Sequence, residues 1–373
     1  MRVLIVRAFP SIVDLRKNCY NHQEIGLATA FLSLGHEAGI VYYGGNNSRD
    51  MKYATSNGEI KIYYRKAKVL LERIAFFEDF SDLKEQYDLI ISNECDQIET
   101  VKTLNRYAEK TVIYHGPYYS PFNKRYNLAN RTFDFFFAKQ MQKKNPCIVT
   151  KSRLAKTYLE EKGFRVAADV GVGINNEQLL AKVDSSNPVE GRLQKGNIHL
   201  LYVGRLEPRR NTLFLLDVLE QLVRIDSRYR LVMVGTGDKK YVSKVFSAIS
   251  EKKLGDYIIY EESLAQNQLP YLYQNCDLFL LPTEYEIWGM VLMEAMRFNL
   301  PVITTYNGGS STLINDGVNG AVLTVNVDIW VNKILKEKFD NAGLSAVNES
   351  ILQEKCDWKT IAERIIEISQ IGN

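Results

Sequence analysis

Between Leu278 and Gly320 the chain changes character in an order that leaves few choices of fold. An apolar run ending at Pro282 reads as a buried parallel strand, because a strand covered on both faces loses the polar alternation of a half-exposed one. A polar loop follows, Thr283 to Gly289, with two glutamates and a tryptophan. Met290 to Phe298 is rich in Met, Leu, Glu and Ala, which are good helix formers. Asn299 and Pro301 stop that helix, and P-V-I-T-T is the next short strand. Strand, loop, helix and strand make a βαβ unit, whose ligands gather at the carboxyl ends of the strands.

Two carboxylates of this unit, Glu286 and Glu294, lie eight positions apart. On one continuous helix that offset turns the second about 80° from the first, so they would not share a face. With Glu286 in the loop and Glu294 in the first turns of the helix, both can border one crevice at the helix start. The first amides there, at Met290 and Val291, form an anion site, and Gly289 lets backbone and ligand approach closely. Spacing alone leaves a second reading open, in which Glu286 is a solvated loop residue and Glu294 a surface charge of the helix.

At 373 residues the chain exceeds one ordinary core and suits two α/β domains. With 46% hydrophobic and 24% charged residues it is globular rather than disordered. No apolar run approaches the roughly 20 residues that span a bilayer, and M-R-V-L-I-V-R-A-F reads as a first strand rather than a secretory leader. Cysteines at 19, 95, 147, 276 and 356 include no C-x-x-C pair and fit reduced thiols in a cytosol. With only four histidines, at no ligand spacing, they argue against a zinc site. The net charge of +3 is divided unevenly: residues 1–175 hold 26 basic and 19 acidic residues, the remainder 21 and 25. A basic half beside an acidic half suggests that one lobe meets an anionic surface. No nucleic-acid fold signature is present.

In chain order, Met1 to Phe9 is a strand, Ala8 to Asn21 the loop at its end, Ile25 to Leu34 a helix closed by Gly35, and His36 to Tyr43 a second strand. Asp88 to Asn93 and Thr111 to Tyr114 are further strands. The latter runs into His115-Gly116-Pro117, which sets a histidine at a strand end, placed for a cleft. By position alone a packed or solvated histidine is the commoner outcome. Two stretches combine aromatics with positive charge, Lys61 to Phe77 and Tyr118 to Lys144. In the first, Val69, Leu70, Arg73, Ile74 and Phe77 follow helical spacing, as a core-facing helix with a basic edge or as a patch for anionic lipid headgroups.

Ile148-Val149 and Lys151 to Gly163 give a strand and a helix, and Asp184 to Gly196 gathers Ser, Pro and Gly into a linker. Past it, the strand Ile198 to Val203 leads into G-R-L-E-P-R-R-N, residues 204–211. Helix Thr212 to Ile225 follows, then strand Arg230 to Val234 with Gly235-Thr236-Gly237. Three neighbouring arginines are most often a solvated loop face, and a G-x-G is as often a turn as a ligand site. A last helix, Asp357 to Ile371, carries an apolar stripe of Trp358, Ile361, Ile365, Ile366 and Ile368.

P-T-E-Y-E-I-W-G-M-V-L-M-E-A-M, followed by N-L-P-V-I-T-T and D-G-V-N-G, resembles the E-x7-E signature of retaining glycosyltransferases of family 4, which have the GT-B fold. The resemblance implies an α/β chain of two Rossmann-like, doubly wound domains with an interdomain cleft. An acceptor-binding domain would cover 1–180, a linker 181–196, and a nucleotide-sugar-binding domain 197–355. A C-terminal helix, 356–373, would cross back to the first domain. Glu286 and Glu294 fall on the two motif glutamates. The family's usual E-G-F-G reads Glu286-Ile287-Trp288-Gly289 here, a departure that touches the sugar pocket. V-G-R-L matches at 203–206, so Gly204 and Arg205 would meet the donor diphosphate. Arg210 stands at the family's lysine and Asn211 at its glycine; Arg keeps the charge but grips phosphate bidentately where Lys is a point charge. Tyr257 to Leu264, then Leu269 to Tyr273, resembles the segment whose backbone meets the base. His115 matches a strand-end histidine that borders the reacting sugar. Asn18 and Cys19 stand near the place of a family Gly-Gly loop.

The implied activity is transfer of a hexose from a nucleotide diphosphate sugar, UDP foremost, to an acceptor hydroxyl with retention of configuration, in cell-surface polysaccharide or glycolipid synthesis. Catalysis would fall to His115, Glu286, Arg205 and Arg210. Donor binding would fall to Gly204, Arg205, Arg210, Leu264, Glu286, Trp288, Gly289, Met290, Val291 and Glu294. No cofactor and no metal is expected, because guanidinium groups and helix amides can carry the charge and no D-x-D motif is present. Expected partners are the nucleotide-sugar donor, a glycan or lipid-linked acceptor and an anionic membrane touched by the N-terminal domain, with no nucleic acid. The expected location is cytoplasmic, at the inner face of the membrane. The alternative from another class is a non-catalytic GT-B partner subunit of an active glycosyltransferase.

Overall fold

Short apolar runs rich in β-branched residues become the parallel strands that carry this chain. In the computed structural model the described residues are 1–15, 22–70, 74–175, 179, 187–336 and 341–371. They divide into two units, Met1–Ile174 with Glu354–Asn373, and Asn175–Gln353.

The strands of the first unit are β1 (Arg2–Arg7), β2 (Glu37–Tyr43), β3 (Arg49–Thr55), β4 (Gly58–Arg65), β5 (Ala67–Leu70), β6 (Ile74–Phe77), β7 (Leu89–Asn93), β8 (Thr111–His115), β9 (Cys147–Thr150) and β10 (Ala168–Asp169). Eight of them form a sheet in the order β10-β9-β8-β7-β1-β2-β4-β3, parallel except where β3 turns back on β4. Between them run α1 (Gln23–Ser33), α2 (Ser81–Glu85), α3 (Ile98–Tyr107), α4 (Lys124–Lys143) and α5 (Arg153–Glu161). Chain order reverses at β1, which lies between β2 and β7. Loops diverge at such a point and leave an opening at the carboxyl edge of the sheet.

The stretch Lys61 to Phe77 is not a helix. It completes β4 and then forms the antiparallel hairpin β5–β6. Ile60, Ile62 and Tyr64 are buried at a period of two, which is the strand repeat. The helical spacing arose because two strands of four residues each put apolar groups at intervals that also suit a helix. Arg73 of that pattern lies outside the described residues, as do Asn18 and Cys19.

The last helix of the chain, α13 below, belongs to the first unit and packs on α1, β8 and β9. Trp358 is held between two glycines: a Cβ on Gly26 would come within 2.2 Å of its indole, and one on Gly173 equally close. Residues 169–174 run beside the segment that leads into this helix. Val172 N–H donates to Lys355 O at 3.0 Å, Ile174 N–H to Cys356 O at 2.9 Å, and Lys355 Nζ to Asp169 O at 2.7 Å.

In the second unit β11 (Ile198–Val203), β12 (Tyr229–Val234), β13 (Ile258–Glu261), β14 (Leu278–Leu281), β15 (Val302–Thr304) and β16 (Gly320–Val322) form one sheet, ordered β13-β12-β11-β14-β15-β16 and parallel throughout. This is the doubly wound order of a dinucleotide-binding sheet, with its switch point between β11 and β14. The helices are α6 (Thr212–Ile225), α7 (Lys239–Glu251), α8 (Leu269–Asn275), α9 (Met290–Arg297), α10 (Ser310–Leu313), α11 (Val327–Lys336) and α12 (Asn341–Lys355), before α13 (Trp358–Ile371). Of the linker expected over 181–196, residues 181–186 lie outside the described residues. Residues 187–196 are turns seated on the second unit. Val189 is fully buried, Asn187 Nδ2 donates to Gln268 O at 2.7 Å, and Arg192 pairs with Glu261.

Candidate active site

The two loops at the switch point of the second unit, after β11 and after β14, bring opposite charges together. The first runs from Gly204 through a short 3-10 turn at Pro208–Arg210 into α6. Asn211 sits at that junction with φ +54. Asn tolerates the left-handed region better than most residues other than glycine, which explains how it can stand where the resemblance called for glycine. Its Nδ2 donates to Glu284 Oε1 at 2.6 Å, tying the two loops.

The G-x-G after β12 supports this loop by its backbone. A Cβ on Gly235 would lie 1.9 Å from Gly204 O, and one on Gly237 1.8 Å from Leu206 O. No side chain fits at either place. Leu206 N–H donates to Thr236 O at 2.9 Å, which holds the arginine loop alongside. The loop after β14 is braced likewise. A Cβ on Gly308 would stand 2.1 Å from Ile287 O, and one on Gly309 1.7 Å from Trp288 O.

Glu286 is clamped by two guanidinium groups, in direct contact with Arg210 and 3.7 Å from Arg209 Nη1. Arg209 also meets Glu207 Oε1 at 2.7 Å and donates to Tyr285 O at 2.7 Å, while Arg210 Nε lies 3.7 Å from Glu207 Oε1. Arg210, expected on the diphosphate, is therefore tied to Glu286 and Glu207. Arg205 is different. It is exposed, and its guanidinium has no ion-pair or hydrogen-bond partner among the described residues. Of the three arginines it is the one whose charge is uncompensated.

Glu294 lies in the second turn of α9 and is only 2% exposed, so it is not a surface charge of the helix. Tyr273 Oη donates to its Oε2 at 2.6 Å and Gln266 Nε2 to its Oε1 at 3.3 Å. Leu264 is half-buried in the loop after β13, two positions before Gln266. Gly289 precedes α9 with φ +79, and a Cβ there would press on Glu286 Cγ at 3.2 Å and Leu292 Cδ1 at 3.3 Å. Met290 and Val291 form the first turn behind it. The Trp288 indole is buried and donates to Met293 Sδ at 3.0 Å, which anchors the loop.

In the first unit His115 ends β8 and is buried, with its ring stacked on Tyr158 at 6.4 Å and 9°. Cys95 N–H donates to its Nδ1 at 3.1 Å, and Glu94 Oε2 lies 3.2 Å from the same nitrogen. His115 Nε2 is buried without a partner among the described residues. Glu94 follows β7 with φ +70, a conformation that costs a non-glycine residue roughly 1–2 kcal/mol. Its Oε1 accepts from Lys151 Nζ at 2.8 Å and its Oε2 from Gly116 N–H at 2.9 Å. Burial alone would raise the Glu94 carboxyl, but its neighbours, the Lys151 ammonium foremost, outweigh it and hold it down at about 2.

Glu94, Lys151 and Gln266 escaped the sequence reading, while Arg209 and Tyr273 lay in stretches it singled out but were given no role of their own. For Glu94 and Lys151 a signal existed: each directly follows the last residue of a parallel strand, which is the argument that singled out His115. For Tyr273 the resemblance pointed to the backbone of its segment, and nothing pointed to its hydroxyl.

Residues 185–341 match the family described as glycosyl transferases group 1. The chain is 29% identical over 237 residues to lipopolysaccharide 1,2-N-acetylglucosaminetransferase of Salmonella typhimurium, an alignment that covers 59% of this chain and 61% of that protein. It is 25% identical over 195 residues to an uncharacterized 41.2 kDa protein in the cps region of Klebsiella pneumoniae, covering 49% of each. The matched stretch thus spans less than two thirds of either relative. Among solved structures, sucrose-phosphate synthase from Thermosynechococcus elongatus superposes with a TM-score of 0.70 at 16% identity, over 99% of this chain and 98% of that one. HepE from Anabaena, in complex with UDP and glucose, gives a TM-score of 0.63 at 19% identity over the whole of both chains. The protein has a GT-B fold, and its residues 185–341 match the glycosyl transferases group 1 family.

Proposed function

We propose that the protein transfers a hexose from a UDP-sugar to an acceptor hydroxyl with retention of configuration and without a metal ion. The observation that carries this reading is the switch-point cluster of the second unit. Its loop after β11 carries one uncompensated guanidinium, Arg205, and its loop after β14 carries a carboxylate, Glu286, fixed by two more. As the bond at the anomeric carbon breaks, negative charge grows on the leaving diphosphate. Arg205 and the first amides of α9 stabilise it, and such preorganised donors act most strongly on charge that develops in the transition state. Glu286, oriented by Arg209 and Arg210, accepts hydrogen bonds from the transferred sugar. Glu294, held by Tyr273, accepts from the ribose. His115 donates to sugar or acceptor. Neither glutamate attacks the sugar; the departing phosphate oxygen takes the acceptor proton on the same face.

UDP is preferred because HepE is described with UDP and glucose, and an N-acetylglucosamine donor belongs in the panel because the Salmonella relative transfers that sugar. A thermal-shift series with UDP-, GDP- and ADP-sugars, followed by assay of nucleoside diphosphate release, tests the assignment. Ligand at a hundred times its Kd adds about 2.7 kcal/mol of stability. A rise in Tm with UDP-sugars together with UDP release supports the reading. Binding with no release under any acceptor would favour the non-catalytic partner subunit.

The acceptor is proposed to be lipid-linked and met at an anionic membrane surface through α4. Leu128, Phe135 and Phe136 are 66%, 82% and 65% exposed on one side of that helix. Positions 125, 128, 132, 135, 139 and 143 follow the three-and-four spacing of a single face. Arg125, Arg131, Lys139 and Lys143 accompany these apolar groups, and none has an acidic partner among the described residues. Asp134 lies off that face and pairs with Lys162 at 2.6 Å. No helix among the described residues is long and apolar enough to cross a membrane. An aromatic and basic face suits the headgroup boundary, where each cation adds about 1 kcal/mol. Co-sedimentation with phosphatidylglycerol vesicles should exceed that with phosphatidylcholine and fall in high salt. It should also fall on Phe135→Ser/Phe136→Ser; equal sedimentation of that variant would remove α4 from the membrane.

A further inference from the structure

Glu94, His115 and Lys151 stand at consecutive strand ends of the first unit, and the reading above uses only the histidine. Two groups claim its Nδ1. The Cys95 amide lies 3.1 Å away, and an amide can only donate, so it needs Nδ1 as an acceptor. Glu94 Oε2, 3.2 Å from the same atom, would favour a proton there. Both cannot hold. The remaining contacts decide between them. Lys151 Nζ and Gly116 N–H already occupy the two carboxylate oxygens, at 2.8 and 2.9 Å, and the lysine cancels the charge. Lys151 is itself fixed, with its ammonium 5.0 Å over the Tyr114 ring. From α5 the ring stacks on the uncharged face of Tyr158, and the Cys95 thiol is kept neutral by its burial.

We infer that Lys151 is a positioning residue: by neutralising Glu94 it lets the Cys95 amide fix His115 as the neutral tautomer protonated on Nε2. The ring is then an uncharged hydrogen-bond donor at its unpartnered nitrogen and has no lone pair there with which to act as a base. This rests on the proposed part of His115 in the reaction, but the tautomer is read without substrate. Its failure is therefore distinct from failure of the transferase reading.

The test is a two-bond nitrogen–proton correlation spectrum of the full chain labelled with 15N-histidine. The chain has four histidines, and loss of one set of peaks in His115→Gln identifies the ring. At pH 7 the wild type should give the neutral pattern with the proton on Nε2. Lys151→Met should convert His115 to the imidazolium pattern at the same pH, because Glu94 is then an unbalanced charge beside Nδ1. The pair Glu94→Gln/Lys151→Met should return it to the neutral Nε2–H pattern. A wild-type ring protonated on Nδ1 or on both nitrogens overturns the inference, as does a folded Lys151→Met with an unchanged spectrum. Should Lys151→Met not fold, the wild-type spectrum alone still decides the tautomer.

Discussion

Replacing Arg205 by alanine is expected to lower the rate of nucleoside diphosphate release about a hundredfold while leaving Tm almost unchanged. The two halves of that expectation come from one fact. Arg205 is exposed and its guanidinium has no partner among the described residues, so the fold loses little with it, within about 0.5 kcal/mol for an ordinary surface change. Arg209 and Arg210 are committed to Glu207 and Glu286 and cannot move across to replace it without abandoning them. One well-placed donor to a developing oxyanion contributes roughly 2.7–4 kcal/mol, or two to three powers of ten in turnover. Arg209→Ala should behave otherwise, since it releases Glu286 and the Tyr285 carbonyl and would lower stability together with activity. A loss below threefold in a folded Arg205→Ala protein would take the residue out of the mechanism.

The largest effect on stability is expected at Glu99, which has no assigned part in the reaction. Glu99 on α3 is in direct contact with Lys84 on α2, and their side chains are 4% and 5% exposed. Lys84 also lies 4.3 Å over the Phe80 ring. Glu99→Ala leaves an ammonium without its carboxylate in an apolar setting, and breaking one side of such a pair costs about 3–5 kcal/mol. Burial already pulls Lys84 below its ordinary pKa even though Glu99 opposes it. For a base whose pKa is lowered in the fold, the penalty is complete below the folded value and fades as pH rises towards the unfolded value of 10.5. The deficit in Glu99→Ala, measured by denaturant unfolding of the first unit, should therefore shrink at alkaline pH. Lys84→Met/Glu99→Leu should recover most of it, because removing both charges strands neither. A Glu99→Ala deficit under 1 kcal/mol would refute the account.

What could be read from the sequence follows from how local each signal is. The central strands were legible because strands buried on both faces write themselves as unbroken apolar runs, as L-L-Y-V and L-F-L-L do. The loops after β11 and β14 were legible as candidate sites because position at a strand end needs no knowledge of partners. The pairing of Arg210 with Glu286 was not, since it depends on β11 and β14 being neighbours in the sheet although two strands separate them in sequence. The bond from the Trp288 indole to Met293 was hidden for a different reason, since nothing in the order of residues says that this ring is buried. Lys61 to Phe77 misled because segments of four residues are too short for their period to separate strand from helix. The left-handed backbone of Glu94 leaves no mark in sequence at all.

The tryptophan held between Gly26 and Gly173 has a consequence for the order in which this protein can be made. The first unit borrows its closing helix from the end of the chain, and the whole second unit is threaded between the borrowed piece and the rest. During synthesis the second unit has every residue it needs before α13 has left the ribosome. The first unit, begun earlier, must wait with its Trp358 slot unfilled until the final turns emerge.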